Sequence, residues 1–182
     1  MKSTTISILA AALATVCSAA PTPSAAVVAG ALPESFTLDF VSLEGTSLDK
    51  YPNTIFANPS TGGFAWITLP GSLGTNVPIP LTASGPSSAI VHGDPEFNSN
   101  WFLGIQSGGV VVLTPTFING GYTKDGFGQV DGAFTLDLGD GKGPQSLWAA
   151  CLDPLSLWYK VYWDPASTDT SCVKIALNVV TL

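Results

Sequence analysis

Apolar and polar residues alternate with a period of two in short stretches along this chain. The runs are Phe36-Thr37-Leu38-Asp39-Phe40, Phe64 to Leu69, Trp101 to Gln106, Val110 to Thr114, Phe134-Thr135-Leu136-Asp137-Leu138, Leu155 to Trp163 and Val173 to Val180. A period of two sends successive side chains to opposite faces of an extended backbone, so each run predicts a strand. No stretch sustains helical spacing. The 19 glycines and 14 prolines recur through the chain and would interrupt helices of ordinary length.

The links between the runs carry turn chemistry. Ser107-Gly108-Gly109 joins two apolar runs as a hairpin would, Asn119-Gly120 suits a type I′ turn, and Asp140-Gly141 closes the run that begins at Phe134. Short links make neighbouring strands antiparallel. The expected fold is therefore all-β: a single-domain antiparallel β-barrel or β-sandwich, between which the pattern does not choose. No fixed-period repeat points to a propeller or a solenoid.

The N-terminus reads differently. Lys2 precedes an apolar, Ala-rich run from Ile6 to Val16, and Cys17-Ser18-Ala19-Ala20 follows. Small residues at Cys17 and Ala19 fit the positions before a cleavage site, so residues 1–19 are expected to be a removable signal peptide. A membrane-spanning helix needs roughly 20 apolar residues, and this run is about half of that. The C-terminal run contains Lys174 and Asn178 and has no lipid-anchor signal. Membrane insertion is not expected, and the protein should be secreted. Residues 20–33, rich in Pro, Ser, Ala and Val, read as a flexible lead-in, and 34–182 as one extracellular domain.

Charge and cysteine content narrow the picture. The chain has a formal net charge of −7 and contains no arginine, and Lys2 is lost with the leader. Nucleic-acid binding relies on basic side chains to displace counterions and on arginine to read bases, so that class is excluded. Of the three cysteines, Cys17 leaves with the leader. Cys151 and Cys172 remain as a pair in an oxidising compartment and are expected to form a disulfide. In the chain-entropy model, closing a loop of about 20 residues contributes on the order of 3 kcal/mol.

Catalytic constellations are sparse. The single histidine, His92, would have to serve any Ser-His-Asp or Cys-His mechanism, and no Gly-x-Ser-x-Gly elbow accompanies it. One histidine without a thiolate pair leaves too few ligands for zinc. Asp125 to Gly132 and Asp137 to Gly141 place carboxylates on Gly-rich turns but lack the ligand spacing of an EF-hand. No metal or other cofactor is expected. Asp94 and Glu96 would lie about 6 to 7 Å apart on an extended segment, within the range of roughly 5 to 9.5 Å used by glycoside hydrolases. A glycan-active hydrolase is therefore the enzymatic alternative.

The most informative segment is Leu155-Ser156-Leu157-Trp158-Tyr159-Lys160-Val161-Tyr162-Trp163-Asp164. Period two assigns Leu155, Leu157, Tyr159, Val161 and Trp163 to the core, and Ser156, Trp158, Lys160, Tyr162 and Asp164 to the other face. Trp158 and Tyr162 would stand about 13 Å apart with Lys160 between them. That arrangement suits a platform for sugar rings or a protein partner if the face is open, and a second core face if it is covered. Trp158, Lys160 and Tyr162 are the candidate ligand-binding residues.

Leu147-Trp148-Ala149-Ala150-Cys151, the aromatic strand from Leu157 to Trp163, and Cys172 opening the apolar Val173 to Val180 resemble the C-terminal half of the fungal PhiA-like cell-wall proteins, a group that includes inducers of hypersensitive responses in plants. This chain has Cys151-Leu152-Asp153-Pro154 where that group usually has Cys-Pro, and Trp158-Tyr159-Lys160-Val161 where it has a shorter aromatic-x-Val. The resemblance implies a secreted or wall-associated protein without known catalysis, effector-like in character. Its implied partners are a cell-wall polysaccharide or a host surface protein.

Overall fold

The computed structural model describes residues 28–44, 48, 55–59, 65–69, 79–83, 89–91, 101–114, 122–123, 125–155, 158–165 and 171–182. Among these the chain is entirely β, with no helix. The strands are β1 (Ser35–Ser42), β2 (Phe56–Pro59), β3 (Ala65–Thr68), β4 (Leu81–Ala83), β5 (Ala89–Val91), β6 (Trp101–Gln106) and β7 (Val111–Thr114). They continue as β8 (Tyr122–Thr123), β9 (Phe127–Val130), β10 (Ala133–Leu136), β11 (Trp148–Leu152), β12 (Tyr159–Trp163) and β13 (Cys172–Thr181).

All of them belong to one curled antiparallel sheet, in the order β1-β4-β5-β6-β7-β3-β12-β11-β13, with β10 and β9 beyond β13. Pairing returns to β1, because β1 also pairs with β13 from Phe36↔Thr181 to Ser42↔Ile175. The two edges of β13 can be assigned from overlaps. Lys174 accepts from Leu43 N and is also opposite Ala149, while Asn178 is opposite both Asp39 and Ala133. Hence β1 occupies one edge, and β11 and β10 share the other. The sheet curls round a single core instead of stacking as two separate sheets, which favours the barrel side of the expected alternatives.

The inner face follows the predicted alternation. Phe36, Leu38 and Phe40 of β1, Val161 and Trp163 of β12, and Ile175 and Leu177 of β13 are all buried. Aromatic rings fill one end of this core. Phe134 stacks on Phe127 and on Trp148, each at 5.4 Å between ring centroids, and Trp148 meets Trp163 edge-on at 4.7 Å. Trp148 and Trp163 are directly opposite in the β11–β12 ladder. Burying an indole requires a partner for its N–H, and Trp148 Nε1 donates to the Phe134 carbonyl at 2.7 Å.

Turn chemistry sets the connections. Gln106 and Val110 close the β6–β7 hairpin over Ser107-Gly108-Gly109, as the sequence predicts, with both glycines at positive φ. Asp131-Gly132 forms a two-residue hairpin between β9 and β10, with φ of 51° and 82°. Positive φ at both central residues is the type I′ geometry, which Asp-Gly favours. Asn119-Gly120 lies outside the described residues.

One expectation is corrected. The strand predicted from Leu155 begins only at Tyr159, and Leu155, assigned to the core, is 94% exposed. The reason is local: Pro154 has no N–H for a ladder, and Asp153 N donates to Trp158 O, closing a hairpin with Leu155 in its turn. The lead-in is docked at its last residues. Gly30 exchanges two backbone hydrogen bonds with Gln129 of β9, Gln129 Nε2 donates to Ala31 O, and Leu32 packs on the core. The leader, residues 1–19, lies outside the described residues.

Candidate functional site

The candidate face can be assembled from ladder register. Residues directly opposite in an antiparallel pair project from the same side of the sheet. Lys160 is opposite Cys151, which is opposite Cys172; Tyr162 is opposite Ala149, which is opposite Lys174. Since the alternate residues Val161, Ala150 and Ile175 line the core, this row faces outward. The predicted disulfide between Cys151 and Cys172 is present in it, with Cα atoms 3.9 Å apart, joining β11 to β13 on the side of the sheet away from the core, although Cys151 itself is buried.

Trp158, Lys160 and Tyr162 share this outer face, as the period predicts, and all three are half-buried. Lys160 Nζ lies 3.0 Å from Asp153 Oδ2, and these side chains retain 15% and 18% of their exposure. Small neighbours on the same face are fully buried: Ala149 and Cys151 on β11, and Thr68, which is opposite Lys160 on β3. The face is therefore neither an open platform nor a second core. Asp153 was not among the predicted site residues. Its signal was present, because Asp153 lies two residues beyond Cys151 and so belongs to the same face.

The other candidate residues divide between two situations. His92, Asp94 and Glu96 lie outside the described residues. Three of the residues considered for calcium, Asp131, Asp137 and Asp140, lie in turns, and the last two use their carboxylates there. Asp131 forms the β9–β10 hairpin, and Asp137 Oδ1 accepts from Gly139 N at 2.8 Å. Asp140 Oδ1 accepts from Lys142 N at 3.1 Å, and its Oδ2 lies 2.8 Å from Lys142 Nζ. The side-chain hydrogen bond with Lys142 holds the Asp140 carboxyl below its usual range, and the same bond raises the Lys142 ammonium, with the charge of Asp164 adding to the effect.

That ion pair lies on the rim of a hollow at the end of the sheet, which sequence reasoning missed. Leu136, Leu138, Leu147 and Trp163 supply its apolar lining, and Asp140, Lys142, Gln145 and Asp164 supply its polar groups. Gln145 is held by a pair of backbone hydrogen bonds with Leu136, and Asp164 N donates to Leu147 O. The loop forming one wall has Gly139, Gly141 and Gly143 at φ of 69°, 84° and 73°. Asp164, with a φ of 42°, holds a left-handed conformation unusual for a residue with a side chain. No family model, curated protein or solved structure matches this chain.

Proposed function

We propose that this protein is a secreted, non-enzymatic component of the extracellular space, associated with the cell wall and effector-like in action. The observation that carries this reading is the cystine joining β11 to β13. Disulfides persist in oxidising compartments and are rare where thiols are kept reduced, and the leader-like residues 1–19 supply a route to such a compartment. The resemblance of the Trp148 to Val180 region to PhiA-like wall proteins supports the same address. A wall polysaccharide or a host surface protein is the proposed partner.

Fractionating a producing culture tests this reading: the mature chain should appear in the medium and the wall fraction, beginning near Ala20. Retention of most of the protein inside the cells would overturn it. The carbohydrate-binding alternative is favoured by one feature, the half-buried Trp158 and Tyr162 on either side of Lys160. The hydrolase alternative requires Asp94 and Glu96. Cleavage of wall polysaccharide that disappears in both Asp94→Asn and Glu96→Gln would establish it in place of the non-enzymatic reading.

A further inference from the structure

We infer that the hollow between the Asp137 to Pro144 loop and Asp164 binds one neutral sugar unit of a glycan. The inference rests on the wall-associated reading for its source of sugars; its geometry is separate from the Trp158 face.

A sugar ring presents an apolar C–H surface and hydroxyls that both donate and accept. The hollow offers the matching set. Its accessible apolar lining is the half-exposed Leu138 and Leu147, backed by the buried Leu136 and by Trp163, whose ring is fixed edge-on against Trp148. Around it are two carboxylates, one amide and one ammonium, so acceptors and donors converge on one place. Concave sites that combine apolar walls with a few converging polar groups are where small ligands bind.

Charge decides between ligand classes. Asp140 and Lys142 neutralise each other at 2.8 Å, and Asp164 adds a further negative charge near Lys142. An anionic ligand would meet two carboxylates against one ammonium that is already paired with Asp140, whereas an uncharged polyol meets no such repulsion. The wall of the hollow is also arranged before any ligand arrives. Two side-chain-to-backbone hydrogen bonds, Gly139 N to Asp137 Oδ1 and Lys142 N to Asp140 Oδ1, hold the loop with its alternating left-handed glycines. A preorganised loop loses less conformational freedom on binding. The left-handed backbone at Asp164 is a second local cost of the kind that concentrates at functional sites.

Saturation-transfer NMR and tryptophan fluorescence titration of the secreted protein provide the test, with methyl β-glucoside, methyl α-mannoside and N-acetylglucosamine as probes and glucuronate as the charged comparator. At least one neutral probe should bind more tightly than glucuronate. Lys142→Ala and Asp164→Gly should each weaken that binding about tenfold, equivalent to roughly 1.4 kcal/mol, without lowering the melting temperature. Glycine suits the backbone at 164, so a folding defect there is not expected. Absence of binding by every neutral probe, equal binding of glucuronate, or full binding by both hollow variants would each overturn the inference. Equal retention of wild type and of the double variant Lys142→Ala/Asp164→Gly on isolated walls would overturn the hollow while leaving wall association intact. An intracellular protein would overturn the wall reading whatever the sugar titrations show.

Discussion

Lys160 and Asp153 form an ion pair across the β11–β12 hairpin, diagonal to the Cys151–Cys172 disulfide on the outer face of the sheet. With less than a fifth of either side chain exposed, each charge depends on the other to offset its lost hydration. Removing one partner costs more than removing both, because it leaves the survivor desolvated without this counter-charge. Asp153→Asn should therefore destabilise the protein by about 1–3 kcal/mol. A double-mutant cycle with Lys160→Met should show a coupling of about 1 kcal/mol. Urea unfolding measures both, and strictly additive single changes would show that the pair contributes nothing.

The disulfide contributes on a different scale. Cys151 and Cys172 are 21 residues apart in sequence and enclose β12 between them. Opening that loop should cost about 2–4 kcal/mol and lower the melting temperature by several degrees. The intact mass of the secreted protein should rise by a pair of hydrogens on reduction, and Cys151→Ala should reproduce the thermal loss. Free thiols at both positions in secreted protein would contradict the structure.

How far the sequence could be read depended on how each strand is buried. β1, β6, β12 and β13 bury one face more than the other, so a period of two marked them as strands and, in β12, assigned Val161 and Trp163 to the core. β11 was missed as a strand because Trp148, Ala149, Ala150 and Cys151 are all buried, which erases the alternation. Leu155 was misassigned because the hairpin at Pro154 interrupts a run that looks continuous in composition. The face of Trp158, Lys160 and Tyr162 was legible from periodicity alone, but its half-burial was not, since that depends on β3 and β11 lying on either side. The hollow was invisible for a related reason: Leu136, Gln145, Leu147 and Asp164 come together only through β10, β11 and β12.

Trp148 should be the least replaceable aromatic residue of the core. It is 1% exposed, stacks on Phe134, meets Trp163 and satisfies the Phe134 carbonyl. Trp148→Phe removes volume and leaves that carbonyl without its donor. Losses of about 2–4 kcal/mol are expected from the cavity and the unpaired group together. Denaturant unfolding with an unchanged slope would identify the loss as one of native-state stability. A change below about 0.5 kcal/mol would mean that the site repacks around the smaller ring.

Gly128 ties the docked end of the lead-in to β9. A Cβ at this position would come within 2.7 Å of the Ala29 Cβ and 3.1 Å of the Gly30 carbonyl oxygen. Gly128→Ala should push residues 29–30 off the edge of β9 and cost about 1–3 kcal/mol through overpacking. Limited proteolysis reads this directly. Cleavage near Gly30 should accelerate in the variant, and unchanged cleavage with unchanged stability would show that the segment is held elsewhere.

The outer face of β12 makes the prediction that bears most directly on function. Trp158 and Tyr162 are half-buried, so truncating either should have an effect between those of a surface residue and a core residue. Trp158→Ala should cost about 1–2 kcal/mol, against the 3–5 typical of a fully buried tryptophan. The exposed part of each ring remains available as flat apolar area, the kind of surface on which binding energy concentrates. If a wall glycan or host protein docks here, Trp158→Ala and Tyr162→Ala should weaken its retention about tenfold or more, and Lys174→Ala, further along the same face, should do so less. Comparing retention with melting temperature across these variants separates contact from folding. Retention that falls only in proportion to lost stability would remove this face from consideration as a binding surface. Loss of retention in Tyr162→Ala with a near-native melting temperature would assign the contact to the ring itself.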